Sequence, residues 1–198
     1  VLGKSGKEPH LVMQQEKREQ YLGGAAAIAN HLSSFCKKIY FPTLVGSNKD
    51  FLPFIKKTLR KNVSTNFIFK KDSPTILKTR FIDKITNNKL LGVYDINEKK
   101  LNINQEQKLQ KMIIKISKNI DLILISDYGH SLISPETAKA LLSQKKLVCL
   151  NAQVNASNTG YHSLRKYKKI DTLIINDNEW RHEMRDKGSK IEGLMINL

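Results

Sequence analysis

The chain has 198 residues, with 34 Lys and Arg against 18 Asp and Glu for a net charge of +16, and 40% hydrophobic residues. That length suits one α/β domain with a sizeable core; no apolar run approaches the roughly 20 residues of a membrane span, and two cysteines cannot make a disulfide framework. Val1-Leu-Gly-Lys-Ser-Gly-Lys7 reads as mid-chain loop without the layout of a leader, so the expectation is a cytoplasmic segment truncated at both ends.

The basic residues are scattered in pairs such as Lys37-Lys38, Lys70-Lys71, Lys99-Lys100 and Lys168-Lys169, with no interleaved aromatic pattern. That arrangement speaks against a specific nucleic-acid partner, while the positive field still favours an anionic substrate.

In chain order, the first informative segment is Leu22-Gly-Gly-Ala-Ala-Ala-Ile-Ala-Asn-His31, a glycine pair feeding a helix of small residues. Gly23 and Gly24 allow a left-handed turn and close approach of a ligand to unpaired helix amides; the same letters also serve simple close packing. Ile28, Leu32, Phe35 and Cys36 at helical spacing predict a buried stripe, which makes Cys36 a small buried hydrophobe and leaves Asn30 to point elsewhere.

Thr75–Ile82 and Leu90–Ile96, joined by Asn87-Asn88, predict a hairpin with Ile76, Lys78, Arg80 and Ile82 on one face and Leu77 and Phe81 on the other. It reads as a lid whose Lys78 or Arg80 meets a phosphate, or as an edge whose lysines discourage aggregation. Gln105–Ser117, with Leu109, Met112, Ile113 and Ile116 at helical spacing, predicts a helix.

Three apolar strands follow, Ile120–Ser126, Leu147–Leu150 and Asp171–Ile175, ending on Asp127, Asn151 and Asn176, with a helix opening at Ser134-Pro135. Strands alternating with helices predict a parallel sheet, and three polar residues at its carboxyl edge form a candidate site, although Asp and Asn also start turns. Asn176 and Glu179, three apart at a strand-to-helix junction, suit a hydrated divalent ion near phosphates; a helix cap predicts the same pair. The five histidines lack metal-ligand spacing; His130, beside Asp127, suits neutral hydrogen bonding better than base chemistry. Tyr161 and Tyr167 flank Arg165-Lys166, a stretch that either touches nucleotide or covers the core, and Trp180 packs under its helix.

Together these pieces resemble the ribokinase and phosphofructokinase-B superfamily of carbohydrate kinases, with the closest likeness to bacterial heptose 7-phosphate kinases, the kinase half of bifunctional ADP-heptose synthases. The residues that carry the resemblance are Gly23-Gly24-Ala25-Ala26, the lid strand Ser73-Pro-Thr-Ile-Leu-Lys-Thr-Arg80, Ser126-Asp127-Tyr128, and Asn176 with Glu179 as the Asn-x-x-Glu element. The resemblance implies an α/β, ribokinase-like fold: a mostly parallel sheet flanked by helices, as one partial domain over 1–198 with lid strands at about 73–96 and the core at about 105–198. It further implies ATP-dependent, magnesium-assisted phosphoryl transfer to a sugar or sugar phosphate. Gly23, Gly24, Asn30 and Asp127 would hold the sugar, and Lys78 and Arg80 its anionic part. Asn151, Asn176 and Glu179 would serve ATP, the last two also the metal. A homodimer through the lid strands and a fused adenylyltransferase domain are implied partners.

The sequence also departs from the family pattern. Ala27 replaces an Asn, His130-Ser131 replaces Lys-Gly, Asn151-Ala152-Gln153 replaces Asp-Pro-Lys, and Ile174-Ile175 replaces Thr-Pro. The glycine-rich Gly-x-Gly-Asp loop that carries the family's catalytic base does not occur between Val1 and Leu198, so the base is expected beyond the chain. Two other readings stand beside the kinase: a homologue that binds sugar phosphate or nucleotide without transfer, and a basic nucleic-acid-binding module.

Overall fold

The computed structural model describes residues 3–8, 10–154, 158 and 163–195; Tyr161 lies outside them. A two-residue antiparallel ladder, β1 (Gly3–Lys4) with β2 (Leu11–Val12), precedes α1 (Gly24–Leu32). Helix α1 buries Ala29 against Phe41, Leu59 and Val63, with Ala25 and Ala26 alongside. The expected stripe is corrected here: α1 ends at Leu32, Phe35 is 76% exposed and Cys36 is also exposed. Ser33 ends the helix by turning its hydroxyl back onto the Asn30 carbonyl, and alanines let the helix approach its sheet more closely than a Phe-bearing stripe would.

β3 (Ile39–Gly46), α2 (Leu52–Thr58) and β4 (Val63–Lys70) make a parallel crossover in full register from Ile39 opposite Val63 to Gly46 opposite Lys70. At its carboxyl end β3 is crossed by the chain leading into the hairpin. A Cβ on Gly46 would sit 2.3 Å from the Ser73 carbonyl oxygen, and the Gly46 amide donates to the Thr75 hydroxyl at 3.0 Å.

The hairpin is present as β5 (Leu77–Ile82) and β6 (Lys89–Asp95), with a bulge at Phe81/Ile82 and Asn87 in the left-handed region at φ 57°. Asp83 closes the turn by accepting the amides of Ile85 and Thr86. Opposed residues share a face, so Lys78 and Arg80 lie with Tyr94 on one side and Phe81, Leu91 and Val93 on the other.

α3 (Ile103–Ser117) starts at a reciprocal Asn102–Gln105 capping box and buries Leu109 and Ile113 against Ile68 of β4. It also packs on α4 (Pro135–Leu142), capped by Ser134 as the sequence predicts, and so links the two halves of the chain. The second half is β7 (Leu122–Asp127), β8 (Leu147–Ala152) and β9 (Thr172–Ile174), a parallel sheet in the order β7-β8-β9, followed by α5 (Asp177–Met184) and α6 (Ile191–Met195). Its core joins Ile123, Ile125, Val148 and Leu150 to Ala138 of α4 and to Tyr167. The fold is the expected α/β arrangement, with the parallel pairing divided between the β3–β4 and β7–β8–β9 ladders. Among the described residues no helix is long and apolar enough to cross a membrane.

Candidate substrate and nucleotide cleft

A cleft of about 640 Å³ opens at the carboxyl ends of β7, β8 and β9, with Tyr128, Asn151, Gln153, Ile175, Asn176 and Glu179 in its lining. Parallel strands bring their polar last residues to one edge, and there the fold gathers Asn151, Asn176 and Glu179. Asn151 lies on the β8 face opposite the buried Val148, Leu150 and Ala152, and its amide donates to the Ile174 carbonyl at 3.1 Å, tying β8 to β9.

Asn176 and Glu179 realise the helix-cap geometry. Asn176 is the N-cap of α5 and accepts the Asn178 amide at 2.9 Å; Glu179 accepts the amides of Asn176 at 3.0 Å and of Val154 at 2.9 Å. Each Glu179 oxygen holds one backbone amide and keeps a further lone pair, and Glu179 is in the cleft lining. Among the described residues no three His, Cys, Asp or Glu side chains gather as a metal cage. One carboxylate beside an open cleft fits an ion that keeps most of its water and is held mainly by substrate phosphates, as magnesium is.

The Gly-Gly helix meets the same strand end. Gly24 has φ 49°, and a Cβ there would lie 3.4 Å from the Tyr128 ring, whereas a Cβ on Gly23 would meet nothing within 4 Å. Tyr128 therefore stands between the start of α1 and the cleft. Among the described residues no side chain caps the first amides of α1. Asn30 is engaged within the fold: its side-chain amide donates to the Thr58 carbonyl at 2.9 Å and accepts the Arg60 amide at 2.9 Å, tying α1 to the end of α2.

Asp127 is held by contacts within the fold. It is 5% exposed, and its carboxylate accepts the Tyr167 hydroxyl at 2.7 Å and the Gly129 amide at 3.0 Å, with the Lys166 ammonium at 2.7 Å. Asp127 shares the inward face of β7 with Ile123 and Ile125, so its charge is compensated inside the protein and does not line the cleft. Burial, reinforced by the Asp127 charge, pushes the Tyr167 hydroxyl well above the usual phenol range. Lys166 also donates to the Ile133 carbonyl at 2.8 Å, so Arg165-Lys166 contributes to the core through its lysine. Sequence reasoning placed no anchor at Lys166 and Tyr167; the period of two along β7 is the signal that points to one.

Lys78 lies over the Tyr94 ring at 5.1 Å, and burial, with Arg80 beside it, lowers its pKa; Arg80 is exposed. His130 sits in the turn after β7, flanked by left-handed Gly129 at φ 69° and Ser131 at φ 63°. Its Nδ1 is 3.6 Å from Glu98, and its side chain is nine-tenths buried.

No family model matches the chain. Among solved structures it is similar to Arabidopsis thaliana ribokinase complexed with ribose and ATP, with a TM-score of 0.65 at 13% identity, covering 98% of this chain and 62% of that one. The chain therefore has the ribokinase-like fold. In sequence it is similar to the bifunctional protein HldE of a Nitratiruptor species, 25% identical over 143 residues, covering 72% of this chain and 30% of that protein. It is also similar to HldE of Campylobacter jejuni, 25% identical over 175 residues, covering 88% and 35%. The likeness to the ribokinase and phosphofructokinase-B superfamily, with an HldE relation, is thus borne out. The chain spans about a third of the length of the curated relatives it matches.

Proposed function

We propose that this chain is part of an ATP-dependent sugar or sugar-phosphate kinase, heptose 7-phosphate kinase-like, that transfers the γ-phosphate of ATP to a sugar hydroxyl. The observation that carries the reading is the cleft at the carboxyl ends of β7–β9, lined by Asn151, Asn176 and Glu179, in a fold shared with a ribokinase that binds ribose and ATP. In this reading Gly23 and Gly24 present backbone to the sugar, and Lys78 and Arg80 neutralise its anionic group. Asn151, Asn176 and Glu179 face the nucleotide, and magnesium, when bound with ATP, supplies charge neutralisation, with Glu179 meeting its water shell. Asp127 is the internal anchor of the strand end. No base is assigned to this chain; a glycine-rich loop beyond Leu198 would supply one.

The exposed Phe81, Leu91 and Val93 face of the hairpin suits pairing with a second copy, and a fused adenylyltransferase domain accords with relatives named bifunctional. A second reading, binding without transfer, is favoured by the uncharged Asn151 and by His130-Ser131 where the resembled family carries charged residues. The test, on the intact protein that carries this chain, is ATP binding followed by ADP release with a panel of sugar phosphates. Sugar-phosphate-dependent release supports the kinase; magnesium-dependent ATP binding without release supports the second reading; no binding of either ligand overturns both.

A further inference from the structure

The base of the hairpin is fastened to the core at two places. On one side Lys70 donates to the Asn97 carbonyl at 2.5 Å and Asn97 donates to the Asp72 carbonyl at 3.1 Å. On the other, Ser131 donates to the Glu98 carbonyl, and His130 lies beside the Glu98 side chain. The turn presenting His130 holds a non-glycine residue, Ser131, at positive φ, a strained conformation that turns the imidazole inward.

Among the described residues neither ring nitrogen of His130 has a hydrogen-bond partner, and both are shut off from solvent. The Glu98 oxygen at 3.6 Å is beyond hydrogen-bond length, and its side chain is 40% exposed. A protonated imidazole carries two N–H donors, and this setting offers neither a bonded acceptor. Glu98, from the segment after β6, lies beside it, and the charges of Lys78 on β5 and Asp127 on β7 also act on it. Asp127 is already engaged by Lys166 and Tyr167, and the Glu98 charge also acts on Lys70 and Lys78.

We propose that His130 is the positioning residue of the hairpin: its neutral imidazole seats the hairpin base against the turn after β7, and protonation unseats it. Burial, with the Lys78 ammonium next in effect, lowers the pKa of His130 in the seated arrangement. A released His130 returns toward the ordinary value of about 6.5, so seating is at full strength above that pH and weakens as pH falls through it. Because Lys78 rides on the seated hairpin, protonation also moves the cation that would meet the substrate. That consequence alone rests on the sugar-kinase reading.

The experiment is amide hydrogen exchange of residues 77–95 in the full chain between about pH 5 and about pH 8, corrected for intrinsic exchange. The hairpin of the wild-type protein should open several-fold more at the acidic end, with residues 103–117 unchanged, and His130→Gln should abolish the pH dependence. If His130→Gln does not fold, Lys78→Met serves: removing the neighbouring cation eases protonation and should shrink the acid effect. An acid effect that is absent from the wild type, or that persists undiminished in these variants, overturns the proposal. The readout needs no substrate, so its failure leaves the kinase reading intact, and failure of ATP to bind leaves the seating intact.

Discussion

The hydroxyl of Tyr167 donates to the Asp127 carboxylate at 2.7 Å across 40 residues of sequence, and both side chains are buried, at 8% and 5% exposure. Lys166 completes the arrangement, so a strand end expected to face a ligand is instead the electrostatic centre of the β7–β8–β9 core.

Removing one partner at a time should give unequal losses. Tyr167→Phe deletes a bond to a charged acceptor and should lower stability by about 1.5–3 kcal/mol, whereas Lys166→Met removes the ammonium beside a buried carboxylate and should cost about 3–5 kcal/mol. Urea midpoints measure both; the reverse order would mean that the Asp127 carboxyl is protonated in the folded protein.

Alkali should act through the same pair. The pKa of Tyr167 is raised by folding, so its contribution is complete below the unfolded phenol value of about 10 and is lost as pH climbs above it, by at most about 1.4 kcal/mol per unit. Stability measured above that pH should fall more steeply in the wild type than in Tyr167→Phe.

Glycine-to-alanine substitutions should rank by geometry. Gly23→Ala meets open space and should be nearly neutral, and Gly24→Ala must adopt φ 49° against the Tyr128 ring, costing about 1–2 kcal/mol. Gly46→Ala drives a methyl into the Ser73 and Thr75 backbone and should cost the most, about 3 kcal/mol, read as melting temperature.

At the cleft, charge and cap are separable. Glu179→Ala orphans the Asn176 and Val154 amides and should cost about 1–2 kcal/mol. Glu179→Gln has a single acceptor oxygen, so it can keep the Asn176 bond of the capping box but turns an NH2 toward the Val154 amide; it should cost less stability than Glu179→Ala while the magnesium-dependent part of ATP affinity, measured calorimetrically, falls.

If the hairpin pairs with a second copy, Leu91→Lys combined with Phe81→Ser should convert dimer to monomer in light scattering after size exclusion. Arg80→Ala, on the opposite hairpin face, should leave the mass unchanged.

Local chemistry made much of this fold readable. The apolar runs of β7 and β8, the Ser134-Pro135 opening of α4 and the left-handed Asn87 all announce themselves within a few residues. Strands β3 and β4 were silent because Pro42 interrupts one and Ser64-Thr65-Asn66 makes the other look like loop; only their mutual register makes them strands. At the site, Asn151, Asn176 and Glu179 do converge, since strand parity and chain order suffice to place them. The contacts of Asp127 and Asn30 are not legible in the sequence because their partners, Tyr167 and Lys166, Thr58 and Arg60, are brought near only by the fold.

The crossing at Gly46 gives the hairpin a fulcrum. The Ser73–Thr75 backbone bears directly on a residue that has no side chain, so the position of β5 is set at this crossing by backbone contact. A strand of 6 residues makes an arm of about 20 Å, so a turn of about 10° at the crossing carries the tip roughly 3.5 Å. A small adjustment at the carboxyl end of β3 would thereby be read at the far end of the arm as a displacement the size of a side chain.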